Sequence, residues 1–520
     1  MKKLLIKWHR VLMWGALFSV LCWAISGITH PVMSWFGPQA QTRMPPTFQV
    51  DASVLNQLER VTDQLPIQQA AIAKVVGSQE GNLLQVTEDD DSPRRYFKLD
   101  TGEELPDYDS TQAKWLAAHY LNVSVDDVKS IAFRDSFGAD YPAVNRLLPV
   151  YELEVKSGDD SYVAFIYTET GVLASLNNPF KATVQKFFRA LHTWSWLDAT
   201  GFGRVLIVGM LILTLLAMAS SGAYMVFALP KRKIPVASRR WHRRFAYVLW
   251  IPLLAWSASG FYHLLQAEYV QPVSGVRLLK PVGLANFSVD ESAREQWTNS
   301  ITASLPKDAF LNSITLNQSI DDKPLYRLGI AKPVAKDISA LEQRKARFAG
   351  QAIEKSSAFI NAKTGELDAI TDKDVAKVLA QSVGRYVSNT SQANQESEDI
   401  AAMSLVTHFG PTYDFRNKRL PVWQVDINND TASRYFVDPV SGVLVDQNRL
   451  IDRAESFSFS FLHKWNLLMP LIGPEKRDIL IVLTLFALIT LSCFGFLMYR
   501  RRMARAAVTP QVSHTQVLNK

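Results

Sequence analysis

The chain has 520 residues, with 56 Lys and Arg against 49 Asp and Glu, for a formal net charge of +7. Its 48% apolar content, with 13 Trp and 27 Phe, excludes a disordered or low-complexity polymer. Two cysteines exclude a disulfide framework and a Cys-ligated zinc or iron–sulfur centre.

Taken in chain order, residues 1–10 are basic through Lys2, Lys3, Lys7 and Arg10, and an apolar run follows from Val11 to Ile28. A polar segment, 31–203, comes next. It holds a turn at Asp100-Thr101-Gly102-Glu103, a helix candidate at Thr111–Leu121 and alternating strand candidates from Leu148 onward. Val205 to Phe227 is again apolar. A loop then carries Lys231, Arg232, Lys233, Arg239, Arg240, Arg243 and Arg244, before a third apolar run, Phe245 to Leu265. A second polar segment, 266–478, holds a turn at Lys363-Thr364-Gly365-Glu366 and a helix candidate at Asp372–Leu379. The fourth apolar run is Ile479 to Met498, and the tail carries Arg500, Arg501, Arg502, Arg505 and Lys520. Each apolar run is long enough to cross a bilayer. The short basic flanks hold sixteen positive charges and no Asp or Glu, so the rest of the chain sums to −9.

That distribution follows the positive-inside rule. It predicts a multi-pass protein of a bacterial inner membrane, with both termini and the middle loop cytoplasmic and the two long segments exported to the periplasm. It also removes nucleic acid as a partner, because the basic stretches hug membrane ends and face lipid. The first run is read as a retained span and not a cleaved leader, since no small-x-small cleavage site follows it. The expected boundaries are a first span at 8–30, an exported domain at 31–185, an interfacial segment and second span at 186–229, and a cytoplasmic loop at 230–241. A third span at 242–265, a second exported domain at 266–455, an interfacial segment and fourth span at 456–499, and a tail at 500–520 complete the chain.

The first and third spans align without a gap. Trp8-His9-Arg10 matches Trp241-His242-Arg243, Trp23 matches Trp256, Ser26-Gly27 matches Ser259-Gly260 and His30 matches His263, all at an offset of 233. In the polar segments, Leu148–Val155 parallels Leu420–Ile427, Tyr162–Leu173 parallels Arg434–Leu444, and Leu191-His192-Thr193-Trp194 parallels Leu462-His463-Lys464-Trp465, at offsets of 271 or 272. The growth from 233 to 271 places 38 extra residues in the second polar segment, around Ala335–Ser356 and Ser388–Ser397. The predicted fold class is therefore four transmembrane helices plus two exported α+β domains, a tandem duplication with a pseudo-two-fold axis along the membrane normal.

These motifs taken together resemble the PepSY-associated transmembrane proteins, over residues 5 to 500. The resemblance rests on the Trp-His-Arg starts, the Ser-Gly pairs, the Leu-His-x-Trp motifs and the exported segments ending Thr170-Gly171-Val172-Leu173 and Ser441-Gly442-Val443-Leu444. It implies PepSY-like exported modules. Some members of that family are iron-regulated inner-membrane proteins or haem-containing ferrisiderophore reductases.

Six of the nine histidines form three repeat-related pairs at membrane ends: His9/His242, His30/His263 and His192/His463. Membrane histidines are costly and mark function, and a neutral imidazole is an axial ligand for haem iron. His9 and His30 are separated by roughly 32 Å of helix, so one span offers a ligand near each surface. The reading is haem b, two copies within a range of one to three. An inner site uses His9 and His242, and an outer set draws on His30, His192, His263 and His463 with the pairing open. Arg10 and Arg243 are candidate partners of the haem propionates. The run Glu88-Asp89-Asp90-Asp91 is read as a solvated turn.

No nucleotide-binding or hydrolase motif is present. The activity the resemblance implies is reduction of ferric iron or a ferric siderophore at the periplasmic face, and without such motifs the electrons are expected from a cytosolic flavoprotein or membrane quinol. The rival expectation is a non-enzymatic, membrane-anchored module that binds or restrains a periplasmic peptidase or envelope partner.

Overall fold

The computed structural model describes residues 2–40, 43–51, 53–229, 235–270, 272–287, 293–318, 322–333, 353–388, 399–410 and 412–508. The chain divides into a helical unit (Met1–Phe36, Thr183–Gln271 and Ile451–Lys520) and a sheet unit (Gly37–Ala182 and Pro272–Leu450).

Four helices of the helical unit are long and apolar enough to cross a membrane: Met13–Phe36, Phe202–Ala228, Ala237–Tyr269 and Asn466–Ala504. The first is extended toward the N-terminus by the helix Lys2–Val11, and each span outruns its sequence-predicted bounds. The fourth breaks at Gly473, whose φ of 78° precedes Pro474. Ala16, Val20 and Ala24 of the first span, Leu215 of the second, Leu249 of the third and Leu485 and Leu488 of the fourth form one core. Hydroxyls within the spans return to the carbonyl four residues back, as in Ser19 to Gly15 (2.8 Å) and Thr490 to Phe486 (2.9 Å). A polar side chain is thereby satisfied inside its own helix, as an apolar surround requires.

Each long polar segment folds into more layers than the single helix and sheet read from sequence. The strands are β1 (Gln69–Ala70), β2 (Ile72–Ser78), β3 (Gly81–Thr87), β4 (Arg95–Lys98), β5 (Val128–Arg134), β6 (Val150–Ser157), β7 (Asp160–Tyr167), β8 (Val172–Asn177), β9 (Val276–Arg277), β10 (Val282–Gly283), β11 (Phe310–Gln318), β12 (Pro324–Ala331), β13 (Glu354–Asn361), β14 (Leu367–Asp368), β15 (Ile400–Val406), β16 (Val422–Ile427), β17 (Arg434–Asp438) and β18 (Val443–Asn448). The four-stranded sheet β5-β6-β7-β8 packs on the helix Tyr108–Leu121. The five-stranded sheet β15-β16-β17-β18-β9 packs on the helix Asp372–Ser388. These are the modules the alternating patterns announced. On their other faces, Tyr141 donates to the Leu147 carbonyl and Tyr413 to the Arg419 carbonyl, each at 2.8 Å.

Upstream of each module lies a further helix, Val54–Gln64 or Ala293–Ser304, and a run of strands. β2 pairs with β11, so both segments contribute to one seven-stranded antiparallel sheet, β14-β13-β12-β11-β2-β3-β4. The two polar segments are therefore joined by backbone pairing, where the sequence reading separates them. The reason is an edge: β2 and β11 would each expose a row of unpaired N–H and C=O groups, and pairing them removes both edges. All eight residues of β12 are buried. Strands covered on both faces lose the alternation that reveals half-buried ones. Gly365, with φ of 74°, turns between β13 and β14. A Cβ there would meet the Ala293 carbonyl oxygen at 2.5 Å. Most of the expected insertions, at 335–352 and 389–397, lie outside the described residues.

Glu169, fully buried in the turn after β7, sits where the three large sheets meet. Its carboxylate is 2.7 Å from Arg277 on β9, 3.3 Å from Arg419 before β16 and 3.8 Å from Arg94 before β4. Its carbonyl accepts from Lys74 on β2. Arg419 also reaches Asp438 at 3.0 Å, Ser441 at 2.9 Å and the Tyr167 hydroxyl at 3.0 Å. Burial alone would raise the Glu169 pKa, but Arg277, Arg419, Arg94 and Lys74 outweigh it and hold the carboxyl down to about 2. The turn Glu88–Asp91 is spent locally: Asp89 accepts from the Asp91 and Ser92 amides, Glu88 pairs with Arg95, and Asp90 with Arg277.

Two outcomes follow for the full chain in detergent. Glu169→Gln leaves buried cations uncompensated and should cost the sheet unit roughly 3–5 kcal/mol, read as faster proteolysis or loss of hydrogen-exchange protection in β7 and β9. Because the folded pKa lies below the ordinary value of 4.5, the Glu169 contribution is complete above about pH 4.5. It should be lost as pH falls toward 2, a loss that Glu169→Gln abolishes.

Candidate functional site

The helical unit gathers all six repeat-related histidines, and five of them place Nδ1 on an acceptor. Ser26 Oγ donates to the Cys22 carbonyl at 2.6 Å, so its single proton is committed and its oxygen accepts from His192 Nδ1 at 3.0 Å. Ser259 repeats this: its hydroxyl donates to the Ala255 carbonyl at 2.8 Å and accepts from His463 Nδ1 at 3.2 Å. Ser221 donates to the Met218 carbonyl at 3.2 Å and accepts from His9 Nδ1 at 2.8 Å. His242 Nδ1 donates directly to the Leu491 carbonyl at 3.1 Å, and His263 Nδ1 to Glu455 Oε1 at 2.6 Å. A carbonyl, a carboxylate or a hydroxyl whose proton is already given can only accept. Each of these rings therefore carries a proton on Nδ1, and in a neutral ring Nε2 keeps its lone pair. This is the form in which metal-bound histidines are held by their outer partners.

The Leu-His motifs fold in a way that sequence did not announce. Arg189–Thr193 and Phe459–His463 are widened π-helical turns, closed by bonds from the Trp194 amide to the Arg189 carbonyl and from the Lys464 amide to the Phe459 carbonyl (3.0 Å). Trp194 and Trp465 follow with φ of 57° and 54°, left-handed values that cost a bulky residue of order 1–3 kcal/mol. Trp23 and Trp256 clamp the turns by donating Nε1 to the carbonyls of His192 (3.0 Å) and His463 (2.8 Å). These two tryptophans support the histidines, because their indole N–H meets a carbonyl left free near the end of the turn.

His192 and His463 face each other with ring centroids 6.2 Å apart and planes at 90°. Phe188 stacks on His192 at 4.6 Å and Phe459 on His463 at 4.7 Å. His30 lies 6.0 Å from Phe188 and His263 lies 4.4 Å from Phe459. The six rings form one column, His30–Phe188–His192–His463–Phe459–His263. The four outer histidines are thus brought together, with His192 and His463 at the centre and His30 and His263 exposed at the ends. The two phenylalanines were missed. Their signal was a Phe four residues before each motif histidine.

Gly222 faces the His9 ring at 3.8 Å, Gly495 the His242 ring at 3.5 Å and Gly260 the His463 ring at 3.9 Å, measured from where a Cβ would stand. Gly27 instead packs on Leu485 at 3.3 Å. Arg243 donates to the Leu229 carbonyl at 2.9 Å, while Arg10 lines a cleft with Lys3, Lys7 and Arg502. His119 and His408 belong to the sheet unit, and His514 lies outside the described residues.

Haem ligation asks the protein for two imidazoles with free nitrogen lone pairs, oriented rings and opposed positions. Of that demand, the residues present meet the committed Nδ1 at five positions and bring two rings together at His192 and His463. Among the described residues no three His, Cys, Asp or Glu side chains gather as a metal site, and a haem needs only two ligands from the protein. A scan against protein-family models and a search of curated proteins return no match to the chain.

Ring nitrogen shifts test the tautomers. In 15N spectra of the full chain, His9, His192, His242 and His463 should show protonated Nδ1 and unprotonated Nε2. Ser26→Ala and Ser259→Ala should return His192 and His463 to mixed tautomers, at a cost of about 1 kcal/mol each.

Proposed function

We propose that this chain is a haem b-containing inner-membrane reductase that passes electrons across the bilayer to ferric iron or a ferric siderophore at the periplasmic face. The observation that carries the reading is the commitment of Nδ1 at five membrane histidines, which leaves a matching set of Nε2 lone pairs at two levels. His9 and His242 hold the cytoplasmic level, and His192 and His463 the periplasmic one. Seventeen residues separate His9 from Ser26, and His242 from Ser259, which is roughly 25 Å of helix. When bound, haem supplies one-electron chemistry.

The chain's own residues do the rest. Ser221 and the Leu491 carbonyl orient the inner rings. Ser26, Ser259, Trp23 and Trp256 orient the outer ones. Gly222, Gly260 and Gly495 leave flat space beside three of them. In this reading the architecture is a tandem duplication about an axis along the membrane normal. The Tyr141 and Tyr413 hydrogen bonds, the paired π-turns and the paired Ser–His contacts all support it. The sheet unit is then a pair of PepSY-like modules facing the periplasm, both termini are cytoplasmic, and the donor is a cytosolic flavoprotein or quinol. The histidine column ends at exposed His30 and His263, where electrons would leave for the acceptor.

The membrane-extracted protein, expressed with ample haem, should show a b-type spectrum in oxidised and dithionite-reduced states. His242→Ala and His463→Ala should each remove part of it. Reoxidation by a ferric chelate should follow. Colourless protein refutes the proposal.

A further inference from the structure

A second site at the His9 end of the helical unit involves none of the histidines. Lys3, Lys7 and Arg10 recur at i, i+4 and i+7, so they share one face of the N-terminal helix. Val11 and Trp14 continue that face, and all five side chains are exposed. Across a cleft of about 390 Å³ stand Tyr499 and Arg502 of the last span. Arg10 also lies in the field of Arg502 and Arg239. Among the described residues, none of the four cations lining the cleft has an ion pair or a side-chain hydrogen bond. Like charges repel at this spacing, and a bound anion offsets that cost.

The floor of the cleft is apolar. Trp14 is 50% exposed and meets Phe496 edge-on at 5.6 Å and Tyr499 at 5.4 Å. From Lys3 to Trp14 the helix rises roughly 16 Å, so the cations and the aromatic floor lie at successive depths of one face. A free anion uses only the cations. An amphiphile with a phosphate head and acyl chains uses both.

We propose that this cleft binds an anionic phospholipid, its phosphate among Lys3, Lys7, Arg10 and Arg502 and its chains along Val11, Trp14 and Phe496. An acidic protein surface would satisfy the cations but has no use for an aromatic floor at span depth.

The test uses the full chain in neutral detergent, titrated with phosphatidylglycerol or phosphatidylcholine and read by native mass spectrometry. Phosphatidylglycerol should bind in preference. Lys7→Gln with Arg502→Gln should weaken it about 30-fold, and Trp14→Ala should weaken it with every cation in place. Equal binding of the two lipids would overturn the proposal. So would displacement of phosphatidylglycerol by equimolar inorganic phosphate. Unchanged affinity in Trp14→Ala would assign the cleft to a free anion or an acidic protein instead. Helical circular dichroism checks each variant. If the double variant does not fold, the single Lys7→Gln and Arg502→Gln changes, both on exposed side chains, give the reading.

Discussion

A neutral imidazole among apolar helices has one N–H to place, and much of the helical unit is arranged around that requirement. The acceptors available inside a membrane are few: hydroxyls, stray carbonyls and the occasional carboxylate. Ser26 and Ser259 can only accept from the histidines, because each hydroxyl hydrogen is already engaged by its own helix. The same act that quiets the serine in its span makes it a directed acceptor for a neighbouring chain segment. At the ends of the two π-turns, the carbonyls of His192 and His463 accept from Trp23 and Trp256. One hydrogen-bonding constraint thereby couples the ring orientation, the local backbone and the docking of the Leu-His segments on the first and third spans.

The two halves meet this constraint with different parts where local sequence demands it. His9 uses the hydroxyl of Ser221, while His242 goes straight to the Leu491 carbonyl. Glu455 serves His263, whereas His30 makes no hydrogen bond among the described residues. The sheet unit shows a comparable asymmetry. Glu169 gathers cations from the sheets around it, and the corresponding turn of the second segment offers Ser441 and Asp438 to Arg419 instead. A buried carboxylate surrounded by three guanidinium groups and a lysine is tolerated because desolvation is met on every side. Removing one member leaves the others exposed to that penalty.

Much of this was legible in the chain. Four apolar runs mark the spans, since no soluble core needs such lengths without charge. The matched motifs reveal paired histidines, and alternating strands reveal the sheets β5–β8 and β15–β18, which are packed on one helix each. Less was legible of β2, β11 and β12, because strands buried on both faces show no period. The first and third spans also proved longer than the apolar runs suggested, since Trp35, Phe36, Glu268 and Tyr269 extend them with residues that a hydropathy reading discounts.

The sequence by itself determined which residue types stand at the membrane ends and that they come in pairs. Those are one-dimensional facts, carried by composition and spacing. Only the tertiary structure decided which pairs meet. His192 and His463 are 271 residues apart and become ring neighbours, with Phe188 and Phe459 on their outer sides. It also decided the protonated nitrogen of each ring, because a tautomer depends on the acceptor that a distant segment supplies. The joining of the two polar segments through β2 and β11 was hidden for the same reason. Pairing between strands more than two hundred residues apart is set by the geometry of folded edges, and neither strand records its partner.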